Sequence, residues 1–285
     1  MSHQALSPAV NHLLQQISQG AFVLPSMPDI AARVRQLKRE HLDDEKLQCQ
    51  MLANIISSDP VMSARILALS NSQLDRQLPM NLDVDEAVHS LGFHLCSNAA
   101  IGLALKKAYV AENTAIAAEM AAHWRYTSAV AVTAVAIARH VGTVRPEQAM
   151  LAALLHRIGA LALLKHADKS NVLAHSKQER LHLIDQTASM IGDYAIALWD
   201  LPERYSALAK DVADFECQRP VSELVHVVRV AICVVSTLMS APLLIPEWDK
   251  IQSFDILGFN PNMDDDKQLS QFAVALQSAF LASAA

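Results

Sequence analysis

Glycine is the residue that most limits what this chain can fold into. The sequence has 7 glycines in 285 residues, whereas an average composition would supply about 20. Sheet proteins need glycine at primed turns and bulges, and nucleotide-cradling loops need it where backbone approaches phosphate. All-β, Rossmann and P-loop folds are therefore disfavoured. The frequent alanines, clustered in the second half of the chain, favour an all-α fold.

Apolar residues recur at helical spacing along nearly the whole chain. Asp59-Pro60 predicts an N-cap and first turn for a helix that reaches Asn71, and Asp83 or Asp85 predicts the cap of a short helix that ends at Leu91. The other helices are predicted near Val10–Ile17 and over 29–40, 43–57, 94–109, 115–140, 147–158, 160–167, 170–177, 180–199, 203–213, 221–240 and 267–282, with an otherwise irregular tail from Pro242.

A polar connection at residues 112–114 divides the predicted helices into two sets. We therefore expect two packed helical subdomains, residues 1–112 and 113–241, followed by a C-terminal extension over 242–285. The acidic run at 264–266 in that extension is typical of a helix N-terminus, where carboxylates interact favourably with the helix dipole.

The charge balance argues against nucleic acid and membrane partners. Asp and Glu outnumber Lys and Arg by 29 to 23, and the densest basic cluster, Arg33–Arg39, fits the solvated face of a helix better than a phosphate-binding patch. The apolar stretch 221–245 is interrupted by charged residues and prolines, so it predicts no membrane span. The N-terminus lacks signal-peptide character, and the four cysteines are widely spaced, which favours a cytoplasmic protein with reduced thiols.

One string, Leu155-His156-Arg157-Ile158-Gly159 after an apolar run, resembles a known pattern. It is similar to the His-Asp-Ile-Gly stretch of the HDOD domain, a bacterial helical module related to the HD phosphohydrolases. Further similar stretches follow the family's order along about residues 20–215: Leu24–Pro28, Ser58–Ser72, Glu86–Gly92, His123–Ser128 and Trp199–Glu203. The resemblance implies an HD-like core for the second subdomain.

The metal-binding positions of the HD pattern hold other residues here. HD hydrolases use histidines and an aspartate to bind divalent metals that activate water. The resemblance places Tyr126 at the first His, His156 and Arg157 at the His-Asp pair, Ala188 near the next His, and Val212 and Ala213 near the last His pair. An arginine at the carboxylate position removes an anionic ligand and adds a charge that repels the metal. We therefore expect no metal, no cofactor and no catalytic residue.

Several other residues are candidates for binding or packing. Arg65, Asn71, Ser72 and Trp124 lie in stretches that resemble family motifs, and they could line a groove between the subdomains. A helix C-terminus closed by Asn71 and a salt-bridged Arg65 is the simpler interpretation. The remaining histidines have no metal-ligand spacing and are interpreted as surface or satisfied core residues. His156 is expected to pack near the core and to hydrogen-bond locally.

The resemblance implies a role in bacterial signal transduction, as a non-catalytic scaffold that binds protein partners or a small ligand. The alternative is a divergent metal-dependent phosphohydrolase that acts on a nucleotide or another phosphoester. Nucleic-acid binding through Arg33–Arg39 is a third hypothesis, which the negative net charge disfavours.

Overall fold

The computed structural model describes residues 27–40, 44–73, 80–81, 83–169, 176–217, 219–239 and 246–259. Within these ranges the chain forms helices and no strands, which confirms the predicted all-α fold. Two compact units are present, one over residues 27–108 and one from Tyr109 onward. The boundaries expected at 112 and 241 stay predictions.

The described part of the 27–108 unit contains five helices, three of which begin at an aspartate cap, Asp44, Asp59 or Asp83. They are α1 (Asp29–Arg39), α2 (Glu45–Ser57), α3 (Pro60–Gln73), α4 (Val84–Leu91) and α5 (Phe93–Lys106). The Asp59 carboxylate accepts hydrogen bonds from the backbone amides of Val61 and Met62, both at 3.1 Å. Asp83 caps α4 by accepting from the Glu86 amide at 2.8 Å. Both predicted caps are therefore confirmed, because each carboxylate pairs with otherwise unpaired first-turn amides.

The unit from Tyr109 onward is built around one long helix. Its helices are α6 (Thr114–Val141), α7 (Pro146–Leu155), α8 (Ile158–Asp168), α9 (Lys177–Leu198), α10 (Leu208–Ala213), α11 (Glu223–Leu238) and α12 (Gln252–Ile256). Helix α6 packs against α7 and α11, while α9 packs along α8. The side chain of Asn113 caps the start of α6, and Gly142 ends it with a left-handed φ of 76°.

Helices α8 and α9 approach each other closely at Gly159 and Gly192. A Cβ atom added at Gly159 would lie 1.9 Å from the carbonyl oxygen of Ala188 on α9. At Gly192 an added Cβ would lie 2.8 Å from the Cβ of Ala209. The glycine of the His-Arg-Ile-Gly string therefore permits backbone-to-backbone packing next to the candidate site.

A fully buried arginine joins α10 to α11. Arg229 is 2% exposed, and its Nε donates to the carbonyl of Asp211 at 3.1 Å. Its Nη2 donates to the same carbonyl at 2.6 Å and also donates to the carbonyl of Asp214. These bonds satisfy carbonyls at the C-terminus of α10, where a positive charge also suits the helix dipole.

Three helix predictions differ from the structure. The helix expected over 203–213 is split into a 3₁₀ turn at Glu203–Tyr205 and α10, because Ala207 adopts a left-handed φ of 56°. The irregular tail contains a 3₁₀ turn, Trp248–Lys250, and α12, whose Phe254 is completely buried. Asn71 does not close α3, which continues to Gln73. The predicted helices at 10–17 and 267–282, the acidic run at 264–266 and most of the helix at 170–177 lie outside the described residues.

The stretch Pro146–Asp168 is the one part of the described chain that is long and apolar enough to cross a membrane by itself. Its most apolar 18-residue window is 78% buried by the rest of the fold. The stretch is also interrupted at His156 and Arg157, between α7 and α8. The bent pair Val84–Leu91 and Phe93–Lys106 passes the same test only if a 116° bend is ignored. Burial identifies Pro146–Asp168 as core helices.

Candidate functional site

The candidate site lies where α7 ends and α8 begins. His156 follows the last residue of α7, and Arg157 precedes the first residue of α8. His156 is 6% exposed, and its Nδ1 hydrogen-bonds the carbonyl of Ala153. This local bond confirms the expected packing of His156. Since a carbonyl only accepts, Nδ1 carries the proton, and the buried Nε2 carries a lone pair that no atom of the described residues engages.

Burial dominates the protonation of His156. Loss of solvent lowers the pKa of its imidazole to about 3, although the hydrogen bond to Ala153 acts in the opposite direction. The positive charge of Arg157 lowers the pKa further. The ring is therefore neutral at physiological pH.

Arg157 points toward the aromatic ring of Tyr126. Its Cζ lies 5.7 Å from the centroid of that ring, a cation–π distance. Tyr126 is buried on α6, and its hydroxyl shares a 3.0 Å hydrogen bond with the hydroxyl of Ser236 on α11. The rings of Tyr126 and His156 lie 6.5 Å apart. The three positions that the resemblance aligned with the first His and the His-Asp pair are thus together in space.

A second aromatic group borders this site. The Tyr109 ring stacks on His123 with 5.6 Å between centroids and lies 5.1 Å from the ring of Trp124. Both ring nitrogens of His123 and Nε1 of Trp124 are buried, and none of them has a hydrogen-bond partner in the part of the chain that the structure describes. Burial, and then the nearby Arg157 and His156, hold the pKa of His123 well below its usual value. His123 is therefore a neutral member of the site, contrary to its interpretation as a surface or satisfied core histidine.

The remaining metal-pattern positions contribute no ligands. Ala188 is part of the α8–α9 crossing, Val212 is buried in α10, and Ala213 is exposed. The acid beside them, Asp211, pairs with Arg219. Among the residues that the structure describes, no three side chains of His, Cys, Asp and Glu are grouped so that they could hold a metal ion.

Two further predicted residues have structural roles in the 27–108 unit. The amide side chain of Asn71 donates to the carbonyl of Asn81 at 3.1 Å and accepts from the Asn81 amide at 2.8 Å, which fixes residue 81 on α3. In the described part of the chain Arg65 forms no ion pair, so the predicted salt bridge is not seen there. Its charge instead lowers the pKa of Lys106, after the larger effect of burial. The side chain of Ser72 lies outside the described residues.

Sequence reasoning singled out Trp124, Tyr126, His156 and Arg157 but did not bring Tyr109, His123 or Ser128 to the same site. A usable signal was present, because His123 and Ser128 are polar residues in an otherwise alanine-rich helix. Tyr109 precedes that helix and carried no such signal.

The fold and the position of His156 define an HD-like helical protein. The family model of the HDOD domain matches residues 24–214, and the chain belongs to this family.

Solved structures agree on the fold. A "Putative metal-dependent phosphohydrolase" of Shewanella amazonensis SB2B is similar with a TM-score of 0.77 and 19% identity, covering 95% of this chain and 98% of that one. An HDOD domain protein of unknown function from Geobacter sulfurreducens gives a TM-score of 0.63 and 20% identity, covering 96% and 99%. No curated protein matches the sequence.

Proposed function

We propose that this HDOD protein is a non-catalytic regulatory scaffold of bacterial signal transduction, located in the cytoplasm, which binds protein partners or a small ligand. The observation that carries the proposal is the guanidinium of Arg157, 5.7 Å from the Tyr126 ring centroid and beside His156. At these positions HD hydrolases hold a metal between imidazoles and a carboxylate. The residues present do not fit a divalent cation, because a fixed positive charge and a phenol replace anionic and imidazole ligands.

His156 could supply one ligand to a metal. Its Nδ1 donates to the carbonyl of Ala153 and leaves Nε2 free, as in many metal-binding histidines. A catalytic metal site needs about three protein ligands around one point. Ala188, Val212 and Ala213 have no ligating side chain to complete such a set.

The test measures the metal content and the turnover of the purified 285-residue chain. We expect substoichiometric manganese and iron and no hydrolysis of generic phosphoesters in manganese buffer. The double variant Tyr126→His/Arg157→Asp should bind manganese more tightly than the wild type, since it replaces a repelling charge with two ligands. Arg125→Asp changes an exposed neighbouring arginine and serves as the control for added negative charge.

The alternative function makes the opposite prediction. A divergent metal-dependent phosphohydrolase is favoured by the similarity to the Shewanella protein, described as a metal-dependent phosphohydrolase, and by the retained His156. Stoichiometric metal in the wild-type protein, with turnover that His156→Ala abolishes, would establish the enzyme and end the scaffold proposal.

A further inference from the structure

Seven side chains lie together in the unit from Tyr109 onward, two of them buried and five half-buried. Ring contacts join Trp124 and His123 to Tyr109, and they join His156 and Arg157 to Tyr126. The two groups are close enough for Arg157 and His156 to act electrostatically on His123. Ser128 lies one helical turn after Trp124, on the same face of α6. We call this set the Arg157 cluster: Tyr109, His123, Trp124, Tyr126, Ser128, His156 and Arg157.

The Arg157 cluster contains an unusual concentration of unpaired polar atoms. Nε2 of His156, Nε1 of Trp124, both ring nitrogens of His123 and Oγ of Ser128 are buried, and none has a hydrogen-bond partner in the described protein. Most buried polar side chains in folded proteins are paired, and each exception requires an explanation. Five such atoms on four neighbouring residues indicate a site that accepts hydrogen-bonding groups from outside the chain.

The Arg157 cluster carries a positive charge that no carboxylate of the described residues pairs with. The guanidinium of Arg157 instead lies over the face of the Tyr126 ring. The indole of Trp124 can only donate a hydrogen bond, and a guanidinium can only donate. These two groups therefore suit an anion with oxygen acceptors, which a guanidinium can bind in a bidentate manner.

A ligand next to His156 must also donate a hydrogen bond, which an anion without a proton cannot do. The Nδ1–H of His156 donates to Ala153, so Nε2 presents a buried lone pair that needs a donor. An anion without a proton would place oxygen lone pairs against this nitrogen, whereas a ligand hydroxyl would pair with it.

We propose that the Arg157 cluster binds a small oxyanion that retains a hydroxyl, with its charged oxygens on Arg157 and Trp124 and its hydroxyl donating to Nε2 of His156. Hydrogen phosphate, phosphate monoesters in their monoanionic form and hydroxycarboxylates share this chemistry. The inference deepens the scaffold function proposed above, because it gives the positions aligned with the metal site a ligand of their own.

Paired anions test the hydroxyl requirement on the metal-free full chain at pH 7. Phosphate is compared with sulfate, which has similar shape but no proton, and lactate is compared with acetate. Chloride at matched ionic strength controls for screening. Binding is measured by calorimetry and by the shift in the thermal unfolding midpoint. We expect at least one hydroxyl-bearing anion to bind about tenfold or more tightly than its partner.

Variants test the residues. Arg157→Gln should weaken binding of the preferred anion by about 10- to 100-fold, since it removes the charge-assisted bonds. Trp124→Phe retains an aromatic ring but lacks the N–H, so it should weaken binding by a smaller factor. This second variant provides a test of the site if Arg157→Gln does not fold. Arg125→Gln, an exposed arginine beside Trp124, should leave the affinity unchanged.

The outcomes separate this inference from the scaffold proposal. Three results would overturn the oxyanion site. The two anions of each pair could bind equally tightly, or none of the anions could bind. Arg125→Gln could also reduce the affinity as much as Arg157→Gln does. Each of these results leaves the metal-content and turnover measurements unaffected. Preference for phosphate over sulfate identifies a phosphate-type ligand, and preference for lactate over acetate identifies a hydroxycarboxylate.

Discussion

His156 is neutral in the folded chain and titratable in the unfolded one, so it links stability to pH. Its pKa is about 3 when folded, compared with about 6.5 for an unfolded histidine. As the pH falls below 6.5, His156 binds a proton in the unfolded state but not in the folded state. The free energy of unfolding therefore falls with a slope that approaches about 1.4 kcal/mol per pH unit, until the pH nears 3.

The variant His156→Gln tests this dependence. Glutamine does not titrate, so between pH 7.5 and pH 5 the wild type should lose about 2 kcal/mol more unfolding free energy than the variant. Urea unfolding followed by circular dichroism at the two pH values measures the difference. His182→Gln removes an exposed ring from α9 and should behave like the wild type. Parallel pH profiles for the wild type and His156→Gln would show that the imidazole is not buried as described.

Helices α8 and α9 can pack at their observed distance only because residue 159 has no side chain. Gly159→Ala would place a methyl group 1.9 Å from the Ala188 carbonyl oxygen, so the helices must separate. We expect a net loss of about 2 kcal/mol in unfolding free energy, although alanine is the better helix former by about 1 kcal/mol. Gly192→Ala, whose added methyl group meets Ala209 at 2.8 Å, should cost less. Equal midpoints in denaturant for the wild type and Gly159→Ala would contradict the close crossing.

Elements with strong local signals could be predicted, and those fixed by tertiary contacts could not. Asp59 and Asp83 determine helix starts through bonds to amides two or three residues away. The sequence alone therefore located the first cap and limited the second to Asp83 or Asp85. The break before α10 and the short α12 depend on packing against α11. The spacing of apolar residues along the sequence does not predict such tertiary contacts. The family resemblance predicted that Tyr126 and Arg157 lie at the site. It did not predict where the Arg157 side chain points, because neighbouring residues determine the conformation of a long side chain at a helix junction.

At the scale of the whole molecule, α11 is the helix whose exposure requires the most extensive unfolding. Every residue from Leu224 to Ser236 is buried, and α11 packs against α6, α7, α10 and α12. We expect its amides, measured by hydrogen exchange and mass spectrometry, to exchange at the rate set by global unfolding. The first turn of α9, where Lys177–Glu179 are exposed, should exchange much faster. Exchange of α11 as fast as this turn would contradict its central position.

The buried stretch Pro146–Asp168 has a consequence for biosynthesis. The ribosome completes these apolar residues about 30 residues before the end of α9, which packs along α8, so they are synthesised before that cover exists. At 5 to 20 residues per second the delay is roughly 2 to 6 seconds. During this time the nascent chain exposes the apolar surface of α8, and we expect chaperones that bind apolar nascent chains to associate with it.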